Sequence, residues 1–232
     1  MSRLHHLGIW MVTLLGLAGL VAHAQSAPII SYDISFSGYG GGSPIDWLAG
    51  KGYELKREAG GVVFVPVGNN LVLETKEKAA GLLASEVNVP NYSKIRIKWG
   101  VDVFPPGASY VKGIRSEAIM VYAFFGNEKL PSGSAIIPDI PYFIGLSLCD
   151  SDPVGEGFKG RYFKAGGRYV CISRAHKGQA LTTEYAIADA FRRLFGQNQA
   201  PAITGLGIAI DTESAKGNGV AKSFINQIEL LE

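Results

Sequence analysis

Alternation of apolar and polar residues with a period of two runs through most of the chain. Ile30, Tyr32, Ile34 and Phe36 alternate with Ser31, Asp33 and Ser35, the pattern of a strand with one buried face. The clearest instance sets Ile95, Ile97, Trp99, Val101 and Val103 on one side and Lys94, Arg96, Lys98 and Asp102 on the other, because successive side chains of a strand point to opposite faces. Val62–Val67 and Asn70–Thr75 flank Gly68-Asn69, which predicts a hairpin. Further strands are expected at Leu82–Val89, Ala118–Phe125, Tyr142–Cys149, Arg168–Arg174, Ile203–Asp211 and Val220–Leu231, with Phe224, Ile228 and Leu230 sharing a face in the last. One short α-helix is expected near residues 183–195. Thr182 or Thr183 would cap it, Glu184 suits its first turn, Ile187, Phe191 and Leu194 form its apolar stripe, and Gly196 ends it, since glycine accepts the left-handed conformation that closes helices. About ten strands and one helix predict an all-β fold, a jelly-roll-like antiparallel β-sandwich. Residues 104–117 and 126–141 read as long Pro/Gly/Ser-rich connections, and loops of that length commonly serve a site.

The alternation is missing from the first residues. Arg3 precedes an apolar run, Leu7–Val21, which ends at Ala22-His23-Ala24. A basic start, an apolar centre and an A-x-A site describe a secretory signal peptide over residues 1–24. The run is shorter than the ~20 apolar residues that cross a bilayer. Residues 25–232 are thus expected to form a single exported domain, periplasmic or secreted, with no membrane span after cleavage. In an oxidising compartment, the two cysteines, Cys149 and Cys171, are expected to form a disulfide; two buried free thiols are the alternative. A bridge closing a loop of this length stabilises by roughly 3 kcal/mol when unstrained.

Composition narrows the chemistry. The chain has 22 Lys+Arg and 20 Asp+Glu; without Arg3 the balance is 21 against 20, which excludes a strongly basic nucleic-acid binder. Of the four histidines, His5, His6 and His23 fall in the signal, leaving His176 in what reads as an exposed turn. A His/Cys zinc site or a His-based triad therefore lacks ligands and partners, and no cofactor is expected. Gly38–Ser43 lacks the Lys-Ser/Thr of a phosphate loop, and Ser109-Tyr-Val-Lys112 matches S-x-x-K without its companion motifs. Both read as loops.

Four further sets of residues are candidates. Asp211, Glu213 and Asn218 offer hard oxygen ligands for calcium, although Lys216 beside them can satisfy the carboxylates, and the expectation is a structural loop with no metal. Lys94, Arg96 and Lys98 offer a cationic stripe for an anionic ligand. Trp47, Tyr39, Tyr53 and Tyr110 offer rings for stacking on a sugar. Twenty Asp and Glu residues leave room for two-carboxylate hydrolysis, but spacing does not show which two would face each other.

From Ile95 onward the chain resembles the exported bacterial family called domain of unknown function 3047. The likeness rests on Ala186-Ile-Ala-Asp-Ala-Phe-Arg-Arg-Leu-Phe-Gly196, on Ile203-Thr-Gly-Leu-Gly-Ile-Ala-Ile-Asp-Thr212, and on Lys98-Trp99 and Val121-Tyr122. Ile97 stands where a second Trp is common, Met120 where an Arg is common, and Glu213 where an Asp is common; a site at those positions would be altered here. The resemblance implies export and a sandwich similar to carbohydrate-binding modules, and it implies no reaction. The expected function is an exported, non-catalytic binding module for a glycan or another envelope component. A carboxylate-based polysaccharide hydrolase and a structural or assembly protein, docking a partner through residues 104–117 and 126–141, are the alternatives.

Overall fold

Strands with one apolar face bury it by packing sheet against sheet, and this chain does so. The computed structural model describes residues 27–58 and 61–232; the signal peptide expected at 1–24 lies outside them. In chain order the elements are β1 (Ile30–Ser35), α1 (Pro44–Gly50), β2 (Glu54–Glu58), β3 (Val62–Val67), β4 (Asn70–Thr75), β5 (Ala80–Val89), β6 (Lys94–Val103), β7 (Glu117–Leu130), β8 (Ile140–Cys149), β9 (Gly157–Phe158), β10 (Gly167–Arg174), β11 (Gln179–Tyr185), α2 (Ile187–Phe195), β12 (Ile203–Asp211) and β13 (Ala221–Leu231). They form the expected all-β, jelly-roll-like sandwich.

One sheet runs β11-β6-β13-β4-β3, with β1 also paired to β13; the other runs β2-β5-β12-β7-β8-β10-β9. β13 pairs with β4 through Ala221–Ile225 and with β1 through 227–231, so two short strands share one of its edges. The core lies between the sheets. Ile95, Ile97, Trp99 and Val101 of β6 face Val121, Ala123 and Phe125 of β7 and Leu206, Ile208 and Ile210 of β12, all at 1% exposure or less. The indole of Trp99 donates to Thr183 Oγ1 at 3.0 Å, so its polar edge is satisfied within the apolar layer. The predicted hairpin is present: Val67 pairs with Asn70 across Gly68-Asn69, with Gly68 at φ 60°.

Five expectations need correction. The helix starts later than 183, because residues 179–185 form β11 against β6, where Glu184 lies opposite Arg96; strand pairing takes the segment that Thr182 and Thr183 would have capped. The helix then begins after Ala186 without a side-chain cap and ends at Gly196, φ 68°, as its residue type predicts. A second helix, α1, begins at Pro44, with Ser43 Oγ accepting from the Asp46 amide at 3.3 Å. The sandwich is also not wholly antiparallel: β8 and β10 are parallel, joined through residues 150–166, the length of crossover that a parallel pair requires. Residues 126–130 and 140–141 are strand rather than loop, which reduces the connection to 131–139.

Phe224 does not share a face with Ile228 and Leu230. The register against β6 shifts between Ile225 and Gln227, and such a bulge reverses the alternation. Ile225 therefore joins Ile228 and Leu230 in the core. Phe224 lies on the outer face over Gly100, where a Cβ would come within 2.3 Å of its ring.

Candidate functional site

The inner face of the seven-stranded sheet is apolar, and its outer face carries the chemistry. On β7, Ile119, Val121, Ala123 and Phe125 point into the core, so Met120, Tyr122 and Phe124 point outward. Their register partners on β12 are Ala209, Gly207 and Gly205, and on β8 Tyr122 lies opposite Gly145. Small residues beside large ones leave a trough. A Cβ at Gly145 would stand 2.5 Å from the Met120 sulfur and 3.0 Å from the Tyr122 ring, so these glycines are what allow the rings to lie along the sheet.

Loops wall this trough into a cleft of about 780 Å³, within the range typical of ligand sites. Tyr122, Phe124, Phe143 and Tyr169 line its floor, Tyr110 and Arg115 come from the loop before β7, and Arg161, Tyr162 and Phe163 come from the loop before β10. The rings form a connected set: Tyr122 meets Phe143 edge-on at 5.5 Å, Phe143 meets Tyr169 edge-on at 5.6 Å, and Tyr169 stacks on Tyr110 at 5.2 Å. Phe163, a T-shaped neighbour of Phe143 at 5.7 Å, has φ 55° and is the one non-glycine residue at positive φ among the described residues. Its amide donates to Ser132 O and its carbonyl accepts from Gly167 N, bonds that hold an unfavourable backbone conformation at the cleft wall.

One end of the cleft is acidic. Glu117 opens β7 and Asp211 closes β12, and the two are register partners. Glu117 is 7% exposed; its Oε2 accepts from the Tyr110 hydroxyl at 3.1 Å. Burial, and then the negative charge of Asp211, push the Glu117 carboxyl up to about 8, against a smaller opposing effect of the Tyr110 hydrogen bond. Burial likewise raises the Tyr110 and Tyr169 hydroxyls, with Glu117 adding to both. Asp211 sits at the strand end with its Oδ1 accepting from the Glu213 amide at 2.9 Å, a turn-type bond that orients the carboxyl. A smaller cavity of about 250 Å³ shares Tyr110 and Glu117 with the cleft and is also lined by Ser116 and Ser147.

The loop bearing Tyr110 is pinned by a buried carboxylate. Asp152, 6% exposed, accepts from Ser109 Oγ at 2.6 Å and from the Tyr110 amide at 2.8 Å. Nearby, the Cys149–Cys171 disulfide ties β8 to β10, as expected for the two cysteines. The S-x-x-K match over Ser109–Lys112 is therefore a turn, with Ser109 engaged by Asp152.

The other sequence candidates lie elsewhere. Lys94, Arg96 and Lys98 occupy the outer face of the six-stranded sheet. There Arg96 bridges Glu184 at 2.7 Å and Glu229 at 3.1 Å, Lys94 reaches Glu184 at 3.6 Å, and Lys98 donates to Gln227 Oε1 at 2.6 Å. Trp47 on α1 meets Tyr39 edge-on at 5.5 Å and lies 4.8 Å beneath the Lys51 ammonium. Tyr53 is 1% exposed and belongs to the core, so it offers no ring to a ligand. Glu213 lines the cleft beside Asp211, whereas Asn218 accepts from the Val220 amide at 3.4 Å in the outer turn of the loop. His176 is exposed. Of the residues singled out from sequence, Tyr110, Asp211 and Glu213 line the cleft; Glu117, Phe124, Phe143 and Tyr169 were not singled out. The outward pair Tyr122-x-Phe124 in a strand of otherwise apolar residues was the available signal.

No family model matches the chain, and no curated protein matches it. Among solved structures it is similar to the Trichoderma harzianum Endoglucanase 3 from family GH12, at 9% identity and a TM-score of 0.41, over 91% of this chain and 100% of that one. A likeness this distant says nothing about the residues or the activity of this chain.

Proposed function

We propose that the protein is exported and binds a glycan chain in the cleft of its seven-stranded sheet. The observation that supports this reading is the juxtaposition, in one open cleft, of an aromatic floor and a carboxyl pair. A sugar ring has apolar C–H faces and a hydroxyl rim. Rings such as Tyr122 and Tyr169 cover the first, and Glu117, Asp211 and the tyrosine hydroxyls hydrogen-bond the second. Export is supported by the disulfide and by the sequence of residues 1–24. The resemblance to domain of unknown function 3047 runs through Val121-Tyr122 and through the segment ending at Asp211-Thr212, and so supports the same face.

The test is a glycan array followed by calorimetry on protein beginning at Gln25, using neutral and uronic-acid-containing polysaccharides. Tyr122→Ala is expected to weaken binding at least tenfold, a loss of about 1.4 kcal/mol, while Trp47→Ala on α1 leaves it unchanged. Failure to bind across the panel, or binding that follows Trp47 instead of Tyr122, would overturn the reading.

A further inference from the structure

We propose that the cleft hydrolyses the glycan it holds, with Glu117 as proton donor to the glycosidic oxygen and Asp211 as the carboxylate that attacks the anomeric carbon. The inference rests on the glycan-binding reading and adds a reaction to it.

Strand register brings the two carboxyls together. Glu117 and Asp211 lie directly opposite one another on antiparallel β7 and β12, and both line the cleft. Opposed residues of such a pair have Cβ atoms about 4.5–5.5 Å apart. Side chains that start this close and enter one cleft suit the close carboxyl pair of a retaining glycosidase, and the Asp211 charge is near enough to act on the Glu117 carboxyl.

Their surroundings divide the roles. Glu117 is enclosed by Tyr110 and the sheet and keeps its proton near neutral pH, as a general acid must. Asp211, less buried, lines the cleft at the strand end, where its Oδ1 accepts from the Glu213 amide and is oriented by it. A further feature lies on the other side of Glu117, in the smaller cavity. Ser116 is 4% exposed and its hydroxyl has no hydrogen-bond partner among the described residues. It borders the small cavity that adjoins Glu117. A buried hydroxyl of this kind is satisfied by a water in the cavity, and a water placed here adjoins the carboxyl that must exchange protons in each turnover.

The reaction balances with water as its one co-reactant. In the first step the bond between the anomeric carbon and the glycosidic oxygen breaks. The Glu117 proton passes to that oxygen, which leaves as an alcohol, and an Asp211 oxygen forms an ester to the carbon. In the second step the Glu117 carboxylate takes a proton from water and the water oxygen attacks the same carbon. The ester bond breaks, returning Asp211 as carboxylate and Glu117 as acid, and the sugar leaves with its anomeric configuration retained.

The experiment compares binding and cleavage in one set of proteins: wild type, Glu117→Gln and Asp211→Asn. Each is checked for folding by circular dichroism and incubated with a polysaccharide panel and with 2,4-dinitrophenyl glycosides. Wild type is expected to release reducing ends, and both substitutions to lower kcat for that release at least a hundredfold at saturating polysaccharide, a loss beyond any change in binding. The dinitrophenolate leaving group needs little protonation, so Glu117→Gln should still give a burst of it and Asp211→Asn should not. A 2-deoxy-2-fluoro glycoside should label Asp211 in the wild-type protein, read by peptide mass spectrometry even if a variant fails to fold. Binding without cleavage, cleavage that survives Glu117→Gln unchanged, or label on another residue would overturn this inference and leave the binding reading standing. Absence of both binding and cleavage would overturn both.

Discussion

The residue that sets the acidic end of the cleft apart is Glu117, and its burial has a consequence that stability measurements can read. Its carboxyl is raised to about 8 in the folded protein, by burial first and the Asp211 charge second, while in the unfolded chain it has the ordinary value near 4.3. Between those values the folded state holds a proton that the unfolded state has released. Stability from this group is therefore complete below about pH 4 and is lost as pH rises toward 8, by at most about 1.4 kcal/mol per pH unit. Urea midpoints measured from pH 5 to pH 8 should fall along this slope in wild type. Glu117→Gln, which cannot ionise, should be flatter over the same window. Asp211→Asn removes one of the two causes that raise Glu117, so its carboxyl drops below the wild-type value and the loss of stability is complete at a lower pH.

At the scale of the element, the cleft depends on two strands that local pattern does not join. β8 and β10 are parallel neighbours, and the Cys149–Cys171 bridge closes a loop of sequence separation 22 between them. Reduction, or the double change Cys149→Ala and Cys171→Ala, is expected to cost about 3 kcal/mol by freeing that loop in the unfolded chain, read as a lower urea midpoint. Because β10 carries Tyr169, the same change should also weaken any ligand that stacks there. The end of α2 offers a separate check. Gly196 sits at φ 68° and its amide bonds to Arg192 O, so Gly196→Ala should destabilise by about 1 kcal/mol without affecting the cleft. The start of α2 shows why element boundaries were harder to read than element types. Thr182, Thr183 and Glu184 suit a capped helix, yet their backbone completes a ladder with β6, and pairing overrides a weak local preference.

For the whole molecule, the expected start of the exported protein is Gln25, and N-terminal sequencing of secreted or periplasmic material checks it; retention of Leu7–Val21 would count against export by a cleaved signal. Alternation by itself determined that Ile95, Ile97, Trp99 and Val101 of β6 enter the core, because a strand's two faces follow from a period of two and water rejects the apolar one. It also placed the Gly68-Asn69 hairpin and the Gly196 helix stop, where residue type governs backbone conformation. Only the tertiary structure decided that Glu117 faces Asp211, that Tyr110 reaches Tyr169, and that Phe224 turns away from the core. The physical reason is that strand ladders are made by backbone groups common to every residue. Partner and register between distant segments therefore emerge only when both sheets pack together, and a single bulge, such as the one between Ile225 and Gln227, redirects every side chain beyond it.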